Sequence, residues 1–371
     1  MQALLHSSAF VLATLAAAPA AGPTGILAQQ PPPGSHDRAI TRSRAVLADV
    51  VRRGEVAGLA VAVAERGRIV WTEGIGHADA ARRTPATAAT VFGVGSISKA
   101  FTLAAALALV DGGKLDLDAP VERYLPDFPH SGHGVTVRRI AAHQSGLADE
   151  FAARHYYDTT RFADLESAYR HIRHERLAYP PGTRTEYATG IFTILGRVLE
   201  RVDAAPYTEI MRRRVFRSAG MTATVPLDPR RTPPGLTVFH VRQGDGGFAP
   251  APRLDPSFKL PGAGYLSTAA DVARFGAALL RPGLLSAAAR REMFVPVPLA
   301  DSTPTGYALG FQARREDGRR VLLQPGGGPG ITAFLAVYAD EDLVVAILSN
   351  TSGAALESER RAVGEAFLSR R

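Results

Sequence analysis

The chain is 371 residues long, 46% hydrophobic and 21% charged, which excludes wholesale disorder and a fibrous architecture and leaves room for a large core without covalent staples. Cysteine is absent, which removes a disulfide framework, a thiolate zinc site, an iron–sulfur cluster and a cysteine nucleophile together. The formal net charge is +8, but the arginines that carry it are scattered, as in Arg52–Arg53 and Arg138–Arg139. No aromatic-interleaved basic run accompanies them, so nucleic acid is not expected as a partner.

In chain order, Ala9 to Ala21 is a run rich in Ala, Leu and Val, too short to span a bilayer comfortably. Small residues follow, with candidate cleavage points after Ala18, Ala20 or Ala28. Residues 1–28 therefore read as a signal peptide, although only His6 represents a basic n-region, and residues 29–37, with Gln29-Gln30-Pro31-Pro32-Pro33-Gly34, read as a linker. Export to the periplasm or the extracellular space is the expectation. No later stretch of 18 apolar residues occurs, so a soluble protein is expected after signal removal.

Ser43 to Arg53 has helical spacing. Gly58 to Ala64 and Arg68 to Gly76 flank Glu65-Arg66-Gly67 as a β-hairpin. Ser96 to Val110 reads as an apolar helix stopped by Gly112-Gly113. From Leu115 to Pro252 the text is short helices and Pro-containing loops. Gly264 to Leu280 reads as a helix capped by Ser267 or Thr268. Val321 to Gln324, Ile331 to Tyr338 and Leu343 to Leu348 read as strands, and Ala354 to Leu368 as a closing amphipathic helix. Strands joined by short turns are antiparallel. The expected fold is α/β (α+β): a mostly antiparallel sheet flanked by helices, built from both chain ends (38–115 and 255–371), with a mainly helical insertion over 116–254.

Four features bear on chemistry. In Gly95-Ser96-Ile97-Ser98-Lys99, Ser96 and Lys99 fall on adjacent turns of one helix face. A serine hydroxyl needs a neighbouring base to become a nucleophile, and a lysine serves only as a neutral amine, which an apolar helix and its N-terminal dipole favour. Only three of the 43 basic residues are lysine, and arginine cannot be deprotonated, so the lysine here is informative. Pro180-Pro181-Gly182 reads as a turn leading a short strand to Tyr187, whose phenol would shuttle a proton. Gln324-Pro325-Gly326-Gly327-Gly328 lies between strands, where glycines admit a substrate backbone and an N–H there, with that of Ser96, would form an oxyanion hole. His143 with Ser145 has no carboxylate placed by spacing, so a structural turn is the stronger reading. His171 and His174 lie on an arginine-flanked face and no metal site is expected.

Taken together these motifs resemble the serine beta-lactamase and penicillin-binding-protein superfamily, within it the class C-like, beta-lactamase-related hydrolases. The resemblance covers roughly Ala39 to Leu368. It rests on Ser96-Ile97-Ser98-Lys99, on Gly113-Lys114-Leu115-Asp116, on His143-Gln144-Ser145-Gly146-Leu147, on Pro181-Gly182 with Tyr187, on Gly262-Ala263-Gly264-Tyr265-Leu266-Ser267, and on Leu348-Ser349-Asn350. Tyr187-Ala188-Thr189 and Pro256 to Gly262 look most like bacterial relatives of the mitochondrial serine beta-lactamase-like protease. The resemblance implies an acylated Ser96, Lys99 as its proton partner, Tyr187 as second acid/base, and substrate docking by Gln324, Gly326, Gly327 and Thr189. It implies a small-molecule or peptide substrate and no cofactor, and it is compatible with a homo-oligomer.

Two departures stand out. Thr189 replaces the asparagine of the family's Tyr-x-Asn, and the third motif opens with Gln324 instead of a cation. A glutamine amide gives hydrogen bonds but no charge, so a substrate carboxylate should bind weakly. The expectation is weak or no beta-lactamase activity, with a neutral ester, amide or peptide as substrate. The alternative is a catalytically impaired member of the fold acting as a binding or self-assembling module.

Overall fold

The central strand explains the layering. In β1 (Gly58–Glu65) both sets of alternating side chains are buried: Leu59, Val61 and Val63 point into one apolar cluster and Ala60, Ala62 and Ala64 into another. A strand buried on both faces needs a covering layer on each side. The computed structural model describes residues 36–369. The expected signal peptide, and the linker up to residue 35, lie outside these residues.

Among the described residues the main sheet has eight strands. They are β1, β2 (Arg68–Asp79), β3 (Thr84–Pro85), β4 (Tyr307–Ala308), β5 (Phe311–Glu316), β6 (Arg319–Gly328), β7 (Ile331–Tyr338) and β8 (Leu343–Ser349), in the order β3-β2-β1-β8-β7-β6-β5-β4. All pairings are antiparallel, and β1 from the chain's first part zips to β8 from its end, with Val61 opposite Ile347. The sheet is thus built from both chain ends, as expected. Helices α1 (Asp37–Arg52) and α5 (Glu357–Leu368) cover one face, where Leu47, Val50, Val363 and Phe367 are buried. α2 (Ile97–Asp111) and α4 (Ala269–Leu279) lie on the other, joined through edge-to-face packing of Phe101 on Phe275, centroids 4.7 Å apart. α3 (Phe192–Asp203), inside the 116–254 stretch, packs on α2 and shares that cluster.

Several expected boundaries move. α1 begins at Asp37, in the last residue assigned to the linker. β6 runs on through the glycine segment to Gly328, because the Gly326–Gly328 backbone pairs with Ile331–Ala333 of β7. The single helix expected over Gly264–Leu280 divides. Tyr265–Ser267 forms a strand pairing with Phe92–Gly93 and Val225–Pro226, and α4 starts only after Thr268, whose Oγ1 accepts the Asp271 N–H at 3.1 Å. That small sheet anchors the chain just before Ser96: the Val94 N–H donates to the Tyr265 carbonyl at 3.1 Å.

Candidate active site

α2 is apolar around its whole circumference. Lys99 is fully buried in it, one turn after Ser96, which stands half-buried at the N-cap. A lysine so placed must direct its amine to polar atoms at the helix start. Nζ lies 3.1 Å from Ser96 Oγ, 3.1 Å from Thr189 Oγ1 and 3.1 Å from the Gly262 carbonyl oxygen. Three acceptors match its three N–H groups. The Gly262 approach requires glycine, since a Cβ there would stand 2.4 Å from the Thr189 carbonyl oxygen.

Tyr187 closes the cluster by its ring, whose centroid is 4.5 Å from Lys99 Nζ, and it is 44% exposed. The strand expected before it is absent: residues 180–190 run as turns and coil. Their support comes from buried side chains instead. The His143 ring packs 4.5 Å from that of Tyr187, and its Nδ1 accepts the Ala188 N–H at 3.2 Å. Burial, with Lys99 nearby, holds His143 well below the usual imidazole range, so it is a neutral prop. Ser145 Oγ accepts the Leu147 N–H at 3.3 Å within its own turn. Asp149 gathers the next residues: its carboxylate accepts the N–H groups of Thr189 at 2.6 Å, Gly190 at 3.3 Å and Ile191 at 3.2 Å. Burial pushes this carboxyl up to about 6 even though the Thr189 N–H and Lys99 favour its charged form.

The β6 edge lies against the serine. A Cβ on Gly95, whose φ is +52°, would meet the Gly327 nitrogen at 2.7 Å, and one on Gly326 would meet the Val94 oxygen at 2.1 Å and the Ser96 nitrogen at 3.2 Å. Glycine at both positions lets two backbones touch. Gly327 is exposed, and Ser96 stands where first-turn N–H groups lack intrahelical acceptors. Gln324 is buried, with Nε2 donating to the Pro325 carbonyl at 2.9 Å, so its amide is committed to its own strand. Asn350, the chain's one asparagine, holds the β1 and β2 ends through the Gly58 N–H at 3.0 Å and the His77 oxygen at 3.0 Å.

Ser96, Lys99, Thr189 and Tyr187 therefore converge, with Gly326 and Gly327 alongside and Gln324 facing inward. Residues not singled out from the sequence are Asp149, the Gly262 carbonyl and Lys259. Lys259 carried a usable signal: it is one of three lysines in an arginine-dominated chain. Asp149 carried none by spacing, because its partners lie forty residues on.

The beta-lactamase family's sequence model matches residues 43–367. The chain belongs to the beta-lactamase family, and with it to the serine hydrolases. It is 25% identical to human "serine beta-lactamase-like protein LACTB, mitochondrial", over 82% of this chain and 73% of that protein. It is 29% identical to a D-aminopeptidase of Gluconobacter oxydans, over 80% of this chain and 56% of that one. Among solved structures, the octameric penicillin-binding protein homologue of Pyrococcus abyssi superposes with a TM-score of 0.78 at 22% identity, covering 89% of this chain and 77% of that one. A D-amino acid amidase of Ochrobactrum anthropi superposes with 0.77 at 22% identity, covering 89% and 99%. These two establish the shared fold.

Proposed function

We propose that the protein is an exported serine hydrolase that cleaves an ester, amide or peptide through an acyl-enzyme on Ser96. The observation that carries this reading is the 3.1 Å contact between Lys99 Nζ and Ser96 Oγ at the mouth of a buried helix start. To take the serine proton Lys99 must give up one of its own; it then keeps two N–H groups for Gly262 O and Thr189 Oγ1, and its lone pair faces the serine. Ser96 Oγ bonds to the substrate carbonyl carbon as its proton passes to Lys99. The oxyanion takes the N–H groups of Ser96 and Gly327. Collapse expels the leaving group with a proton delivered from Lys99 by way of Tyr187, and water reverses the sequence to free the acid.

Gln324 supports weak or absent beta-lactamase activity: it offers no charge, and its amide already serves Pro325. The test is labelling by a fluorophosphonate probe, together with a panel of ester, D-peptide, L-peptide and beta-lactam substrates. Label on wild type and none on Ser96→Ala is expected. Folded wild-type protein that takes no label overturns the reading, and rapid cephalosporin turnover overturns the part resting on Gln324.

A further inference from the structure

Two of the chain's three lysines converge on one turn. Lys259 precedes the short helix Leu260–Ala263 whose Gly262 oxygen meets Lys99, and the charge of Lys99 helps to lower its pKa. Lys259 is 5% exposed. Its Nζ sits 3.6 Å from the centroid of the Tyr156 ring and donates to the Tyr156 carbonyl at a long 3.5 Å. Among the described residues no carboxylate lies within 4.0 Å of it. The Asp149 carboxylate acts on it only from beyond that range, and the Phe258 ring lies 5.2 Å from Nζ, so a buried ammonium with three donors and one weak acceptor keeps hydrogen-bonding capacity for an incoming anion.

An opening lies beside it. A cavity of about 620 Å³ is lined by Lys259, Tyr156, Gly327 and Gly328, with the Tyr156 hydroxyl 3.8 Å from where a Gly328 Cβ would stand, at the strand end that touches Gly95. Part of its wall is apolar, with Leu236, Val238, Phe239 and Leu254, and Gln324 is not among its lining residues. The cations Arg82, Arg231, Arg253 and Lys259 line it against the carboxylates of Asp79 and Asp228. Burial first, and then Lys99, lower Lys259 to about 8, so it remains mostly charged at neutral pH.

Building on the hydrolase reading above, we propose that Lys259 is a specificity-determining residue that binds a free carboxylate carried on an apolar group of the substrate, the apolar body filling the cavity beside Gly327. This replaces the neutral substrate expected from Gln324 with an acidic one, recognised away from the Gln324 position.

The experiment measures protection of Ser96 from fluorophosphonate labelling by 6-phenylhexanoate and by 6-phenylhexanamide, on the full chain. Wild type is expected to be protected by the acid at about tenfold lower concentration than by the amide, the scale of one charge-assisted hydrogen bond. Lys259→Met should abolish that preference and Lys259→Arg should retain most of it. Equal protection of wild type by the two compounds overturns the proposal without needing a variant, and so does an unchanged preference in Lys259→Met. Absence of label on folded wild type overturns the hydrolase reading itself, whereas label without acid preference overturns this inference alone.

Discussion

Lys99 meets Tyr187 through the face of the phenol ring, 4.5 Å from Nζ to centroid, while the amine's hydrogen bonds go to Ser96, Thr189 and Gly262. The tyrosine therefore plays two separable parts. Its ring covers the amine, and in the proposed mechanism its hydroxyl, on a half-exposed side chain, serves the leaving group. Tyr187→Phe keeps the first and removes the second. Turnover of an amide or peptide, whose amine must leave protonated, should fall about 100-fold in kcat with little change in KM, the usual scale for losing one proton-transfer group. Tyr187→Ala should lose more, because it also uncovers Lys99. Steady-state kinetics on the two variants separate the parts, and equal losses would assign the whole effect to the hydroxyl.

Thr189 brings to the buried amine a hydroxyl that receives the Lys99 N–H at 3.1 Å. Thr189→Val preserves shape but deletes the acceptor. Lys99 then has one N–H unsatisfied in a buried site, at a cost of about 1–3 kcal/mol. The labelling rate at neutral pH should drop about tenfold or more, and Thr189→Ser should restore it. Because the backbone of Thr189 is held by Asp149, neither substitution should shift thermal stability as strongly as it shifts rate.

The parts of this architecture legible in the sequence are those set by local spacing. Ser96 and Lys99 are one helical turn apart, and the β1–β2 hairpin, β7 and β8 follow from apolar runs between short turns. What was not legible depends on contacts across long separations. The strand Tyr265–Ser267 reads as helix because only its pairings with Phe92–Gly93, more than 170 residues earlier, and with Val225–Pro226 make it a strand. β5 is amphipathic and arginine-rich, and it acquires its identity from pairing with β6. The segment bearing Tyr187 needs no strand, since Asp149 and His143 satisfy its backbone by side-chain hydrogen bonds. Lys259 is one position in a motif, but that among the described residues it forms no ion pair within 4.0 Å is a property of the fold alone.

Asp149 gives a pH prediction with two opposite signs. Its carboxyl titrates at about 6 in the folded protein, above the ordinary 3.8, chiefly through burial. A folded-state pKa above the unfolded one means the native state binds the proton more tightly. This group's stabilising contribution is therefore full below about pH 4 and is lost as pH rises through 6, at most about 3 kcal/mol. Activity runs the other way, because only the carboxylate accepts all three N–H groups that position Thr189. Wild-type labelling should decline below an apparent pKa near 6, while thermal stability relative to Asp149→Asn increases over the same interval. The Asn variant should lack that acid limb. Melting curves and labelling rates from pH 4.5 to 8 on both proteins would expose a common trend in the two readouts, and that result would remove Asp149 from the positioning role.

Gly262 tests whether the approach of its turn to Thr189 sets the site. A Cβ there would stand 2.4 Å from the Thr189 carbonyl oxygen, a backbone atom that cannot swing aside as a flexible side chain would. In Gly262→Ala the turn and the Thr189 loop must separate, drawing the Gly262 oxygen and Thr189 Oγ1 apart around Lys99. Overpacking of this kind costs about 1–3 kcal/mol, a modest loss for a protein with a core on both faces of its sheet. Ångström-scale displacement of a positioning group costs about 100-fold in rate. The expected signature is a folded protein with a small drop in melting temperature and a large drop in labelling at Ser96. A variant that labels at the wild-type rate would show that Lys99 is held by Ser96 and Thr189 without the carbonyl, leaving the close approach to packing alone.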